Sequence, residues 1–158
     1  MSFTNSRGTR GATQPANTLI TRAVNGVLTR RIRRGGRLLG NTYGLVLTTV
    51  GRRTGTLRST PVSYFPDGDG RWLIVASAAG APKNPAWFFN LAAHPDKVQI
   101  ELPDRTVAVR AEQLHGHQRD VAWQQISSTS KLFQRYAQKT DRELPVILLT
   151  EQRAAQES

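Results

Sequence analysis

Between Gly44 and Tyr64 the chain reads GLVLTTVGRRTGTLRSTPVSY, two β-patterned runs joined by the five-residue turn Gly51–Gly55. Leu45–Val50 is largely apolar and β-branched, and Leu57, Arg58, Thr60 and Val62 follow the turn, so the pair is predicted to be a hairpin. A hairpin this long commits the chain to a sheet, because its edges need further strands to cover them. The turn itself is unusual. Gly51 and Gly55 frame Arg52 and Arg53, and Arg58 follows three residues later. Glycine permits positive φ, which can turn successive N–H groups toward one point. Arginine adds a planar donor fork that matches phosphate oxygens. The loop therefore reads as an anion holder, although an ordinary solvated hairpin tip fits the same residues.

Charge gives that reading a location. The 158 residues carry a formal charge of +11, in a length suited to a single core. Met1–Pro66 holds eleven arginines, no lysine and no acidic residue, whereas from Asp67 onward eleven basic residues meet eleven acidic ones. The anionic partner is thus expected to be local: a phosphate-bearing ligand or a membrane headgroup layer. Nucleic acid is not expected, since it usually requires a basic face joined to exposed aromatics. The absence of cysteine excludes disulfides and thiol chemistry. His94, His115 and His117 do not complete a zinc site, so no metal is expected. No apolar run is long enough to span a bilayer, and no secretory leader is read at the start, which suits a cytoplasmic protein, at most peripheral on the inner face of the cell membrane.

Residues 1–16 are polar and expected to form a disordered tail. Residues 17–37 read as a basic amphipathic helix, with Asn17 as N-cap and Gly35-Gly36 as stop. Leu19, Ile20, Ala23, Val24, Val27 and Leu28 make its apolar stripe, and Arg30, Arg31, Arg33, Arg34 and Arg37 its basic end. Such a helix suits an anionic membrane surface, and would then be dispensable for binding a soluble ligand. It equally suits a cover over the core with its arginines in water. Residues 41–150 are strand-rich: Tyr43–Val50, Leu57–Phe65, Arg71–Ser77, Lys97–Leu102, Arg105–Gln113 and Pro145–Thr150. Helices are predicted at Ala86–Ala93, with Asn84 capping and Pro85 at the first position, and at Gly116–Thr129. Ser130–Lys139 reads as a further helical turn or loop, and 151–158 as a polar tail. The class is mainly β (α+β): a six-stranded β-barrel with an N-terminal helix and two or three short helices.

A second chemical element is IVASAAGAPKNPAWFFNL, Ile74 to Leu91. A buried strand emerges at Ser77 into Ala78-Ala79-Gly80-Ala81, where the lack of bulk lets a flat ring approach the backbone. The helix that follows adds the positive end of its dipole, with Lys83 beside it. Trp87, Phe88 and Phe89 point about 100° apart on a helix, so at least one is expected at a pocket and another in the core. All three as core filler is the plainer alternative.

TTVGRRTGTLRSTPVSY, SAAGAPKNPAWFFNL and TDRELPVILL, in that order, resemble the deazaflavin (coenzyme F420)-dependent nitroreductase family, which includes F420-dependent quinone reductases of actinobacteria. The resemblance covers most of residues 41–150 and implies a split β-barrel. It implies as cofactor F420, an 8-hydroxy-5-deazaflavin hydride carrier with a phosphodiester and a polyglutamate tail. By the same resemblance, Arg52, Arg53, Thr54 and Arg58 hold the phosphate and part of the tail, while Ser59, Thr60, Pro61, Val62 and Ser63 line the cofactor. Val75, Ala76, Ser77 and Ala78 meet the ring through the backbone, and Ala86, Trp87, Phe88, Phe89 and Asn90 close the other side. The family's substrate wall matches Ser130–Tyr136: Tyr136 is retained, Phe133 keeps the ring without the hydroxyl, and Ser130 replaces the tyrosine of the nitroimidazole-activating member. Ala78 replaces a lysine common in the family. Ser77 and Tyr136 are the candidates to orient an acceptor or relay a proton. The implied function is an F420H2-dependent oxidoreductase passing a hydride to a quinone-like or nitro/enone acceptor, with quinone preferred. The alternatives are an FMN-binding split-barrel oxidoreductase and a non-enzymatic basic β-barrel that binds nucleic acid or lipid headgroups.

Overall fold

The computed structural model describes residues 3–11, 19–38 and 41–152. Its strands are β1 (Tyr43–Val50), β2 (Leu57–Pro66), β3 (Arg71–Val75), β4 (Val98–Glu101), β5 (Thr106–Gln113) and β6 (Val146–Glu151). They close into an antiparallel barrel in the order β1-β2-β3-β6-β5-β4, with β4 pairing back onto β1. Among the described residues four α-helices decorate it: α1 (Leu19–Arg33), α2 (Ala86–Ala93), α3 (Gly116–Thr129) and α4 (Lys131–Lys139). Ser130–Lys139 resolves into α4, with Ser130 as its N-cap accepting from the Phe133 N–H at 3.3 Å.

The barrel follows from period-two alternation. Leu45 and Leu47, Trp72 and Ile74, Val98 and Ile100, Val107 and Val109, and Ile147 and Leu149 all point inward. Phe88 and Leu91 of α2 join that interior. The opposite faces of β3 and β6 send out Leu73, Val75, Val146 and Leu148, onto which α3 and α4 pack Ile126 and Phe133. One seam is loose. β2 pairs with β1 from Tyr43↔Tyr64 to Val50↔Leu57, but with β3 only at Phe65↔Leu73 and Pro66↔Trp72. Beyond those two pairs the strands splay, and the gap between them is the split of the barrel.

Three expectations change here. Residues 3–11, anticipated as disordered, run along the barrel: Phe3 packs edge-on against Phe88 at 5.8 Å, the Gly8 N–H donates to the Pro82 carbonyl at 2.7 Å, and the Thr9 N–H donates to Asp141 at 2.7 Å. Polarity misled there, because the contacts are hydrogen bonds to loops distant in sequence. Asn84 does not cap α2. Pro85 occupies the cap position, and Asn84, only 5% exposed, turns its amide to Asn5, Ser6 and Arg142 instead. The described part of the α1 stripe is not uniformly buried: Val24 and Val27 stand 50% and 59% exposed and Leu28 is half-buried, while Ile32, outside the stripe, is fully buried. The Asn17 cap, residues 12–16 and the side chains of Leu19 and Ile20 lie outside the described residues.

Candidate active site

The Gly51–Gly55 loop is held by its own hydrogen bonds. Gly55, at φ 71°, takes the left-handed conformation that closes the turn. The Gly51 N–H donates to the Thr56 carbonyl at 2.8 Å, the Gly55 N–H to the Gly51 carbonyl at 2.8 Å, and the Thr56 N–H to Thr54 Oγ1 at 3.2 Å. Asn90 of α2 then pins the loop to the barrel, accepting from the Arg52 N–H at 3.1 Å and donating to Thr49 Oγ1 at 3.2 Å. These four amides are engaged within the fold and add nothing to an anion-holding nest, and the positive charge of the loop is carried by the side chains of Arg52 and Arg53.

Those side chains line a groove of about 930 Å³. Arg52, Arg53, Thr54 and Arg58 form one wall, Ser59 and Thr60 continue it along β2, and Ala86, Trp87 and Asn90 bound it from α2. The remaining wall is α1, through Arg22, Asn25, Gly26 and Thr29. No carboxylate lines the groove, and none of its four arginines is in an ion pair among the described residues. Arg52 rests its guanidinium 4.6 Å above the Phe89 ring, which orients that fork without neutralising it.

A smaller pocket of about 200 Å³ occupies the split between β2 and β3. Pro61, Val62 and Ser63 come from β2, Val75 from the end of β3, and Ser77 and Ala79 from the turn beyond. Leu132, Phe133 and Tyr136 of α4 close one side, and Leu28 and Leu38 the other. Trp87 lines both cavities. Ser63 shares a 2.6 Å hydroxyl bond with Thr42, and Ser59 one of 2.8 Å with Thr48, so the second strand presents its hydroxyls in fixed positions. Burial raises the pKa of Tyr136 above the ordinary phenol value, so its hydroxyl is a proton donor at neutral pH as any tyrosine is.

Five of the expected site residues do not line either cavity. Phe88 is 1% exposed in the barrel interior, because a helix that turns Trp87 outward must turn its neighbour in. Phe89 lies beneath Arg52. Strand alternation sends Ala76 inward with Ile74, and its N–H and carbonyl are taken by the Pro145 carbonyl and by Arg142. Ala78 sits at φ 47° between Ser77 and Ala79 without reaching the cavity wall. Ser130, matched in sequence to a substrate-wall tyrosine, is a buried helix cap. Among the described residues no cluster of three or more potential ligands could hold a metal ion.

Sequence reading missed two contributors. The first is the groove-facing side of α1, whose positions 22, 25, 26 and 29 recur at helical spacing but carry no shared chemistry. The second is Arg142, only 3% exposed. It donates through Nε to the Ala81 carbonyl at 2.9 Å, through Nη1 to the Ala76 carbonyl at 2.9 Å and to Asn84 Oδ1, and through Nη2 to the Ser77 carbonyl at 2.8 Å. Burial pushes its pKa down to about 10, which leaves it charged at neutral pH. It stands in the TDR string, but its acceptors lie more than fifty residues away and are mostly backbone, so no motif records them.

Comparison with known proteins agrees with this architecture. The profile of the F420H(2)-dependent quinone reductase family matches residues 20–151. An F420H(2)-dependent quinone reductase of Mycobacterium tuberculosis (strain H37Rv) is 37% identical over 119 residues, spanning 73% of this chain and 78% of that protein. A solved F420-H2-dependent reductase superposes with a TM-score of 0.60 at 31% identity, over 67% of this chain and 92% of the other. A structure described as a domain-swapped dimer gives 0.62 at 27% identity, over 82% and 96%. With the motifs, the split barrel and these relatives in agreement, the chain belongs to the F420H(2)-dependent quinone reductase family and is an F420-dependent oxidoreductase.

Proposed function

We propose that the basic groove holds the phosphate and acidic tail of F420, that the pocket in the barrel split holds its ring, and that the electron acceptor is a quinone. The observation that carries this reading is that the two cavities share Trp87, so that a groove lined by four arginines borders a compact pocket between β2 and β3. A flat ring with several anionic groups at one end fits that pair of surfaces. Arg52, Arg53, Thr54 and Arg58 are assigned to the phosphate and part of the tail, with Arg22 facing them from α1. Ser59, Thr60, Pro61, Val62 and Ser63 flank the cofactor along β2, and Val75, Ser77, Ala86, Trp87 and Asn90 complete its enclosure. When bound, the reduced cofactor supplies a hydride from C5. The protein's part is to hold the reactants in register, to exclude water and to offer a donor. Tyr136 Oη and Ser77 Oγ are the groups assigned to polarise an acceptor oxygen. Leu28, Leu38, Leu132 and Phe133 give the acceptor an apolar approach.

The outer face of α1 supports a second element of the proposal. Val24 and Val27 are exposed beside Arg30, Arg31 and Arg34, all in water, while other residues of the same helix line the groove. We assign that outer face to weak, reversible contact with an anionic membrane, where a lipid-soluble quinone resides. Oxidation of F420H2, followed by absorbance against a panel of quinones, nitroaromatics and enones, tests the acceptor assignment. A soluble menaquinone analogue is expected to be reduced and a bicyclic nitroimidazole to be a poor acceptor, because Ser130 and Phe133 withhold hydroxyl-bearing rings from the wall. Efficient nitroimidazole reduction with no quinone turnover would overturn it.

A further inference from the structure

We propose that Arg142 is a positioning residue, fixing the turn from Ser77 to Ala81 so that Ser77 and Ala79 hold their places in the wall of the split pocket. The proposal rests on reading that pocket as the ring site. The turn is strained: Ala78 at φ 47° and Ala79 at φ 55° both occupy the left-handed region, which L-residues other than asparagine and aspartate rarely visit. Gly80 follows at φ 83°, where a Cβ would come within 2.8 Å of the Tyr136 carbonyl. A run of three such residues persists only where its surroundings over-determine it.

Arg142 supplies that constraint. It ties the carbonyls of Ala76 and Ser77, before the turn, to the carbonyl of Ala81, after it, and adds Asn84 Oδ1 beyond. Only a planar fork with five N–H donors spans acceptors so arranged; a lysine ammonium presents three donors from one point. No carboxylate pairs with the guanidinium among the described residues, so the cation is held by backbone dipoles alone apart from the Asn84 amide. An outer layer completes the arrangement. Asn84 donates to Asn5 Oδ1 at 3.0 Å and to the Ser6 carbonyl at 3.2 Å, and Asp141, next to Arg142, receives Thr9. The residue thus acts through the turn, without touching either cavity.

Arg142→Lys, which keeps the charge and removes the fork, tests this in two ways. Amide hydrogen exchange on the cofactor-free protein is expected to accelerate at Gly80 and Ala81, whose N–H groups now donate to the Ser77 and Ala78 carbonyls, while β4 and β5 stay protected. In the loaded enzyme, the Kd for F420 is expected to rise by no more than about threefold, since the groove arginines are untouched. At saturating cofactor and quinone, kcat is expected to fall by about tenfold or more, because the ring wall is out of register. Unchanged exchange, or faster exchange with kcat within twofold of the parent, would overturn the proposal and leave Arg142 a residue of stability alone. Should Arg142→Lys fail to fold, Asn84→Ala removes one acceptor and is expected to move exchange and kcat in the same directions by less; no movement of either overturns the proposal. Failure of the parent protein to bind F420 would contradict the ring-site reading, whereas the exchange arm reports on Arg142 without any cofactor.

Discussion

At the scale of single residues, the sequence identified chemistry better than orientation. Arg53 and Arg58 are legible because one lies between turn glycines and the other just beyond them, where arginine has few structural reasons to be, and both line the groove unpaired among the described residues. If each donates a charge-assisted bond to the cofactor, Arg53→Ala and Arg58→Ala should each weaken F420 binding about ten- to a hundredfold. The circular dichroism should stay unchanged, since both sit at or beside a hairpin tip. Titration of the two variants decides, and parental affinity in both would remove the loop from the binding site. Orientation was harder to read. Trp87, Phe88 and Phe89 are chemically alike and consecutive, yet one lines both cavities, one fills the barrel and one supports Arg52. Helical phase could be assigned only once the side packed against the barrel was known. Arg142 escaped notice for a different reason: its meaning resides in carbonyl oxygens, which every residue possesses.

At the scale of elements, two segments carry roles that their composition conceals. The end of the segment 3–11 is held by Asp141, which accepts from the Thr9 N–H, the Thr9 hydroxyl and the Arg10 N–H, while Thr4, Ser6 and Gly8 bond to Gln113, the Glu143 carbonyl and the Pro82 carbonyl. The hydroxyl bond, foremost, and then the backbone N–H of Thr9 lower the pKa of this exposed carboxyl. Since its native pKa lies below that of the unfolded chain, its support is fully present above the ordinary carboxylate range and is lost as pH falls through the lowered native value. Protection factors of the Thr9 and Arg10 amides, taken against the intrinsic exchange rate at each pH, should therefore be high near neutral pH and fall in acid before those of the barrel, with Asp141→Asn lowering them near neutral pH. Protection factors unchanged by both pH and Asp141→Asn would contradict this. The helix α1 was expected to be either a membrane contact or a cover. It lines the groove through Arg22, Asn25, Gly26 and Thr29, so deleting residues 1–37 should weaken F420 binding, contrary to what its amphipathic pattern suggested. Val24→Asp combined with Val27→Asp isolates the outer face. That variant should lose sedimentation with anionic vesicles and keep the parental F420 affinity. Parental sedimentation should itself decline with salt, because screening over about 10 Å at 0.1 M weakens exposed arginines. A parent that never sediments would end the membrane assignment.

At the scale of the whole molecule, the barrel was legible because period-two alternation and turn chemistry recur along nearly the entire chain. Observed strand limits lie within one or two residues of the expected ones, as at Tyr43–Val50 and Thr106–Gln113. What alternation cannot encode is incomplete pairing. β2 carries ten residues of strand pattern, yet only Phe65 and Pro66 pair with β3, and Pro61, Val62 and Ser63, paired with β1 alone, line the pocket. The split is thus a property of two strands diverging, absent from either sequence alone. The same holds for charge: eleven arginines in the first 66 residues indicated an anionic partner, but only folding gathers four of them around one groove. The central claim is that this groove and the split pocket together form a deazaflavin site. Quenching of tryptophan fluorescence during parallel titrations with F420 and FMN tests it most directly, since Trp87 borders both cavities. Saturable quenching by F420, with FMN binding at least about tenfold more weakly for want of the acidic tail, is the predicted result. Tighter binding of FMN, or no saturable response to F420, would contradict it.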